Sequence, residues 1–287
     1  MVEDDLKMKF VTILYCFSMF GLAAADEKNL KIENLQLAQS EDGTPLQADF
    51  QFVSGEVVFF NCRVSGFTRM GDEPPKLSLT YQIEARDPNG VLILPVETGK
   101  VAADLTPEDK HWRPKIRYTI ALPPLADTGQ YRVIVKVKDE FGKVDASSDF
   151  PLLVRGRAVE PSDTMAIRNF RFLRSEEDAP PLKDPAYRPG DSVWARFDMT
   201  GYKIGEMNHF DVEYGLKVLR PNGDVTYEEP QAAEAKDETF YPQRYTPGIL
   251  SLNLPKDLAT GDYKLILTVR DVVGGQKQEL VRTFSVQ

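Results

Sequence analysis

Two short segments of this chain set aromatic rings beside cationic side chains: His111-Trp112-Arg113-Pro114-Lys115 and Phe240-Tyr241-Pro242-Gln243-Arg244-Tyr245. A flat ring next to a guanidinium suits stacking on a sugar or on a partner's side chains, and rings of this kind dominate the energetics of many interfaces. Trp112, Arg113, Tyr241 and Arg244 are therefore the candidate binding residues. Trp194 joins them because it recurs with Phe59 on the strand face opposite the expected core. The competing reading is that these rings cover an edge of their own fold or pack between its halves.

Other chemistry has less support. A nucleophilic triad needs a positioned histidine, yet the only two, His111 and His209, lie outside any nucleophile-elbow or metal-ligand spacing. Zinc would need a tetrahedral set that Cys62 and two dispersed histidines do not supply. The acidic segments Ser40-Glu41-Asp42 and Ser175-Glu176-Glu177-Asp178 recur. Calcium at such loops is the one cofactor alternative, but neither segment has the Asp-x-Asp-x-Asp spacing, and solvated loop charge is the reading adopted. No catalytic residue, metal ligand or cofactor is expected. Cys62 alternates with apolar neighbours and reads as a buried, inert thiol.

With 44 acidic and 35 basic side chains the formal charge is -9. That surface repels nucleic acid and anionic membranes, so neither is expected as a partner. The apolar run Phe10 to Leu22, preceded by Lys9 and followed by Ala23-Ala24-Ala25, reads as a signal peptide over residues 1–25. Glu3-Asp4-Asp5 is acidic where such a signal should be positive, which points to Met8 as an alternative start; a retained anchor is the alternative to cleavage. Cleavage removes Cys16 and leaves Cys62 without an intrachain partner. The expected location is secreted or periplasmic, with no membrane span after cleavage.

The elements that would position the rings come in duplicate. Gly55-Glu56-Val57-Val58-Phe59 returns as Gly190-Asp191-Ser192-Val193-Trp194, and Pro88-Asn89-Gly90 returns as Pro221-Asn222-Gly223. Within each copy apolar residues alternate: Val58, Phe60, Cys62 and Val64 in the first, Val193, Ala195, Phe197 and Met199 in the second. That period of two is the mark of a half-buried strand. The Pro-Asn-Gly segments read as turns with positive φ at their Asn and Gly. No sustained helical period appears, and 20 prolines oppose long helices. The expected fold is all-β: two tandem antiparallel sandwiches over residues 26–156 and 157–287, joined through a short linker at about 155–163.

Asp127-Thr128-Gly129-Gln130-Tyr131 and Ala259-Thr260-Gly261-Asp262-Tyr263 resemble the tyrosine corner of immunoglobulin-like and fibronectin III-like domains of bacterial secreted proteins. The resemblance implies that the hydroxyls of Tyr131 and Tyr263 tie the turn before the following strand to the backbone. Val133 and Leu265 stand where that family carries a cysteine, so its inter-sheet disulfide is absent. The function expected is non-enzymatic binding of a protein or carbohydrate partner at the cell envelope. Two alternatives remain: a hydrolase or other enzyme using loop carboxylates from both repeats, and a structural spacer or envelope-assembly subunit.

Overall fold

The computed structural model describes residues 29–177 and 180–287. The expected signal segment with Met8 and Cys16, and Asp178, lie outside the described residues. The first sandwich contains β1 (Lys31–Ala38), β2 (Gln51–Val53), β3 (Val57–Ser65), β4 (Lys76–Arg86), β5 (Glu97–Asp104), β6 (Lys115–Ala121), β7 (Gly129–Asp139) and β8 (Val144–Arg155). The second contains β9 (Ala166–Leu173), β10 (Ala186–Tyr187), β11 (Ser192–Thr200), β12 (Phe210–Leu219), β13 (Val225–Asp237), β14 (Tyr245–Asn253), β15 (Gly261–Asp271) and β16 (Gln276–Val286). Among the described residues there is no α-helix, only two short 3-10 turns at Pro107–His111 and Glu206–Asn208.

Both halves use one topology. A three-stranded sheet, β1-β3-β6, faces a five-stranded sheet, β2-β8-β7-β4-β5; the second half repeats this as β9-β11-β14 against β10-β16-β15-β12-β13. All pairings are antiparallel except those of the short edge strands β2 and β10, which run parallel to β8 and β16. The chain is thus a tandem pair of immunoglobulin-like β-sandwiches. Each core forms where alternating side chains of the two sheets meet, with Val58, Phe60, Cys62 and Val64 buried in one and Val193, Ala195, Phe197 and Met199 in the other. Cys62 is fully buried, and that burial pushes its thiol up to about 12.

The copies share their polar fixings as well. Asp139, at the end of β7, is fully buried and accepts backbone N–H bonds from Thr68 (2.6 Å), Phe141 (3.0 Å) and Gly142 (3.0 Å). Asp271, at the end of β15, accepts from Lys203 (2.9 Å) and Gly274 (2.8 Å). A single carboxylate therefore pins the loop leaving β3 or β11 to the hairpin that follows β7 or β15. Burial raises the Asp139 pKa, but the amides of Gly142, Thr68 and Phe141 outweigh it and hold the group below the usual carboxylate range. The Tyr131 hydroxyl donates to the Asp127 carbonyl at 3.2 Å, and Tyr263 donates to Ala259 at 2.8 Å. Gly66 and Gly201 have φ of +71° and +74°, and a Cβ there would strike the carbonyls of Asn29 and Thr164. In the Pro-Asn-Gly turns only the glycines, Gly90 and Gly223, take positive φ, so the expectation for Asn89 and Asn222 is corrected. A one-residue turn correction by glycine suffices, which leaves the asparagine free of strain.

Asp139→Ala should lower stability by at least about 3 kcal/mol, because three buried donors lose their acceptor at once. Tyr131→Phe, which removes one bond from a ring that stays packed, should cost only about 0.5–1.5 kcal/mol. Urea denaturation of the two variants beside the parent checks both the order and the size of the effects.

Candidate functional site

The five predicted residues do not form one patch. Within β3 and β6, Cys62 pairs with Ile116; in the second copy Phe197 pairs with Gly248. Trp112 and Arg244, each four residues before that partner, are thus structural counterparts, and Arg113 matches Tyr245. Yet the two segments sit at opposite ends of the first sandwich. Trp112 immediately precedes β6 at its outer end, whereas Ala121, the last residue of β6, lines a groove that includes Tyr241. Seven extended residues, about 20 Å, separate them. Trp194 is half-buried elsewhere, on the outer face of β11 between Leu173 and Ser251.

Tyr241 and Arg244 lie in the joint between the sandwiches, where their polar atoms are already engaged. The carboxylate of Asp87 is the centre of that joint. Its Oδ1 accepts from the amides of Asn89 (2.9 Å) and Val91 (2.8 Å), closing its own turn. Its Oδ2 accepts from the Tyr241 hydroxyl (3.0 Å) and the Arg244 guanidinium (2.8 Å), both from the second sandwich. Arg244 also reaches Asp127 at 3.4 Å and lies 5.6 Å from the centre of the Tyr241 ring. The Asp87 side chain is fully buried. Burial raises its pKa, but Arg244, the Val91 amide and Tyr241 together bring it below the ordinary range. Desolvation pushes the Tyr241 phenol far up.

Two further ties hold the connection. The Thr128 hydroxyl and the backbone of Gly156 bond each other at 2.9–3.0 Å, fixing the chain as it leaves β8. Arg157 then pairs at 2.6 Å with Asp198, which is fully buried on the outer face of β11 and also accepts from Asn169 at 2.8 Å. Sequence reasoning missed Asp87, Asp127 and Asp198. The signal was present as a departure from the repeat: Asp87 is replaced by Arg220 before the second Pro-Asn-Gly, and Asp127 by Ala259 before the second tyrosine corner.

Beside the joint lies a groove of about 360 Å³ lined by Ile93, Leu94, Leu122, Leu125, Tyr241 and Gln243 among others, and no carboxylate contributes to its walls. Of the carboxylates between the repeats, Asp87 is paired with Arg244 and Asp198 with Arg157, and Asp127 lies 3.4 Å from Arg244. In the acidic loops, Glu41 and Asp42 pair with Arg117 and Asp42 also with Lys115. Among the described residues no group of three or more His, Cys, Asp or Glu side chains is placed to hold a metal ion.

The outer end of the first sandwich is different. Trp112 remains 38% exposed and Met70 57% exposed. Arg69 donates to the carbonyls of Asp109 and Lys110 (3.0 Å each) and lies 5.9 Å from the Phe67 ring, which stiffens the loop beneath the tryptophan. Arg113 pairs with Glu33 at 2.9 Å, and its carbonyl accepts from Arg63.

No protein-family model matches the chain, and no curated protein matches its sequence. Among solved structures it is similar to two C-terminal domains, that of the AgI/II polypeptide BspA of Streptococcus agalactiae and that of the antigen I/II-family protein AspA of Streptococcus pyogenes. The first is 10% identical with a TM-score of 0.30, covering 90% of this chain and 100% of that one. The second is 10% identical with a TM-score of 0.31, covering 90% and 99%. A family 123 glycoside hydrolase from Clostridium perfringens is 13% identical over 43% of this chain and 27% of that one, with a TM-score of 0.30.

Arg244→Ala should destabilise the chain by about 2 kcal/mol or more, since it leaves the Asp87 charge buried without its partner. Asp87→Ala also strands the Asn89 and Val91 amides, so the double variant should be less stable than Arg244→Ala yet lose less than the sum of the two single losses; a double-mutant cycle on thermal unfolding measures that coupling. Acid acts the same way with a definite sign. A carboxylate with a depressed folded pKa stabilises the joint fully above its ordinary value of about 3.9 and loses that contribution as pH falls through the lower folded value. Small-angle scattering should therefore show an unchanged particle from neutral pH to about 5 and loosening only in stronger acid.

Proposed function

We propose that this chain is a secreted or periplasmic binding protein without catalytic activity, built of modules 26–156 and 157–287, that engages a protein or carbohydrate partner at the cell envelope through the outer end of its first sandwich. One observation carries this reading: Trp112 occupies the place that Arg244 holds in the second sandwich, where that loop docks a whole neighbouring domain. A loop position that serves as a docking device in one copy is presented to solvent in the other. Trp112 and Arg113 are its contact residues, while Tyr241 and Arg244 hold the two modules in a fixed relation so that the end is presented from a stiff support. Trp194 lies on a separate face and contributes to neither.

The burial of Tyr241 and Arg244 in the joint supports a second reading, a structural spacer or envelope-assembly subunit. Trp112→Ala separates the two. The binding reading expects thermal unfolding within a degree or two of the parent and loss of whatever the parent captures from an envelope extract, since truncated anchors typically cost about 2 kcal/mol or more of binding. Tyr241→Ala should do the reverse, lowering the unfolding midpoint. Unchanged capture by Trp112→Ala would leave the spacer.

A further inference from the structure

Tyr118 is the one tyrosine among the described residues whose hydroxyl is buried without a hydrogen-bond partner. The phenols of Tyr131, Tyr187, Tyr214 and Tyr263 each donate to a backbone carbonyl, as buried phenols ordinarily do. Tyr118 belongs to β6, pairs with Phe60 and is only 8% exposed. The fold does not need a hydroxyl there, because the corresponding pair in the second sandwich is Ala195 with Leu250. Burying a polar group without a bond costs stability that a leucine would keep. Burial pushes the phenol upward, and the neighbouring Glu97 carboxylate adds to that.

The unpartnered hydroxyl lines a cavity of about 300 Å³ whose walls include Glu41, Phe59, Glu97, Arg117 and Thr119. Arg117, Tyr118 and Thr119 come from β6 and Glu97 from β5, the edge strands of the two sheets, so the cavity lies at the open side of the first sandwich. Its size is at the lower end of ligand pockets, room for about one sugar ring. The lining decides the class of ligand. Arg117 shares its charge with Glu41 and Asp42 at 3.3 and 3.4 Å, whereas Glu97 makes no ion pair among the described residues. An anion would meet two carboxylates and an ammonium would meet the guanidinium, so neither net charge is served. A neutral sugar suits all of these groups: its hydroxyls accept from the guanidinium, donate to the carboxylates and do either with Tyr118 and Thr119, while its C–H face lies on a ring such as Phe59.

We infer that the open side of the first sandwich holds a second binding site, for one neutral saccharide ring, in which a sugar hydroxyl satisfies that of Tyr118. The site is separate from the outer end and does not rest on the reading of Trp112. Saturation-transfer NMR on the full chain tests it with glucose, galactose, mannose and N-acetylglucosamine as neutral probes, choline as a cation and N-acetylneuraminic acid as an anion, each at about 10 mM, enough to reveal a millimolar Kd. At least one neutral probe should bind, and Tyr118→Phe should weaken it about three- to tenfold, the worth of one hydrogen bond between neutral groups. Without sugar, Tyr118→Phe should unfold at a midpoint no lower than the parent, since it loses no bond. Glu97→Gln, at an exposed position, should weaken the same probe, and Trp112→Ala should leave it unchanged. The inference falls if no neutral probe binds, the hydroxyl then being served by water only. It falls equally if Tyr118→Phe binds as the parent does or unfolds earlier, or if a charged probe binds more tightly than every neutral one. Those outcomes leave the outer-end reading untouched, whereas loss of the sugar in Trp112→Ala would overturn this site and move the sugar to the outer end.

Discussion

A single carboxylate, that of Asp87, is shared between a turn and a domain joint. Its two oxygens are divided: one satisfies the amides of the Pro-Asn-Gly turn, the other receives a phenol and a guanidinium from the second sandwich. Because the side chain is fully buried, neither half of that arrangement can be withdrawn without stranding charge in a poorly solvated place. The turn is therefore rigid in the presence of the second sandwich, and the second sandwich is oriented by the turn. Inter-domain contacts of modest size ordinarily permit relative motion. Here Thr128, Gly156, Arg157 and Asp198 add fixed points along the connection itself, so the short linker has little freedom to express.

Asp139 and Asp271 do for each sandwich what Asp87 does for the pair. Each fills the space between a glycine turn and the loop crossing the end of the sandwich, accepting backbone amides from both. The tyrosine corners close the opposite end of the same strands through bonds four residues back. A sandwich without a disulfide must fix its ends by such means, since strand pairing alone leaves the loops unsatisfied. Cys62 illustrates the substitution: its thiol is packed as a small apolar group and pushed up to about 12, far from the reactive thiolate range.

The fold was legible because its information is periodic. Alternation in Val58 to Val64 and in Tyr263 to Val269 assigns each residue to a face, and a slip of one would turn every apolar side chain outward. Matched turns then give the topology twice. The site was not legible by the same route. Recurrence of an aromatic beside an arginine set Trp112-Arg113 beside Tyr241-Arg244, but in register Trp112 falls at the place of Arg244, and one is partly exposed while the other meets a neighbouring domain. Which neighbour a residue meets depends on how two sandwiches stack, and no period within either copy encodes that. The positions where the copies differ carried the missing information: Asp87 against Arg220, Asp127 against Ala259.

That asymmetry also separates scaffold from surface. In a duplicated protein, two equivalent ends begin with equivalent chemistry, and the intramolecular contact consumes one member of each pair: the inner end of the first sandwich and the loop end of the second. What remains is the outer loop end of the first and the far end of the second. The far end has lost both carboxylates that would let it act as the inner end does. The outer end has kept a ring, with Trp112 38% exposed on a loop whose carbonyls Arg69 and Arg63 bond. The part of the Trp112 ring left exposed over an ordered loop gives the sandwich no burial, whereas a ring presented on a fixed support loses little conformational freedom when a partner covers it. On the reading proposed above, the physical cost of that exposure falls on the free chain and would be recovered in a complex formed at the free outer end and not at the joint.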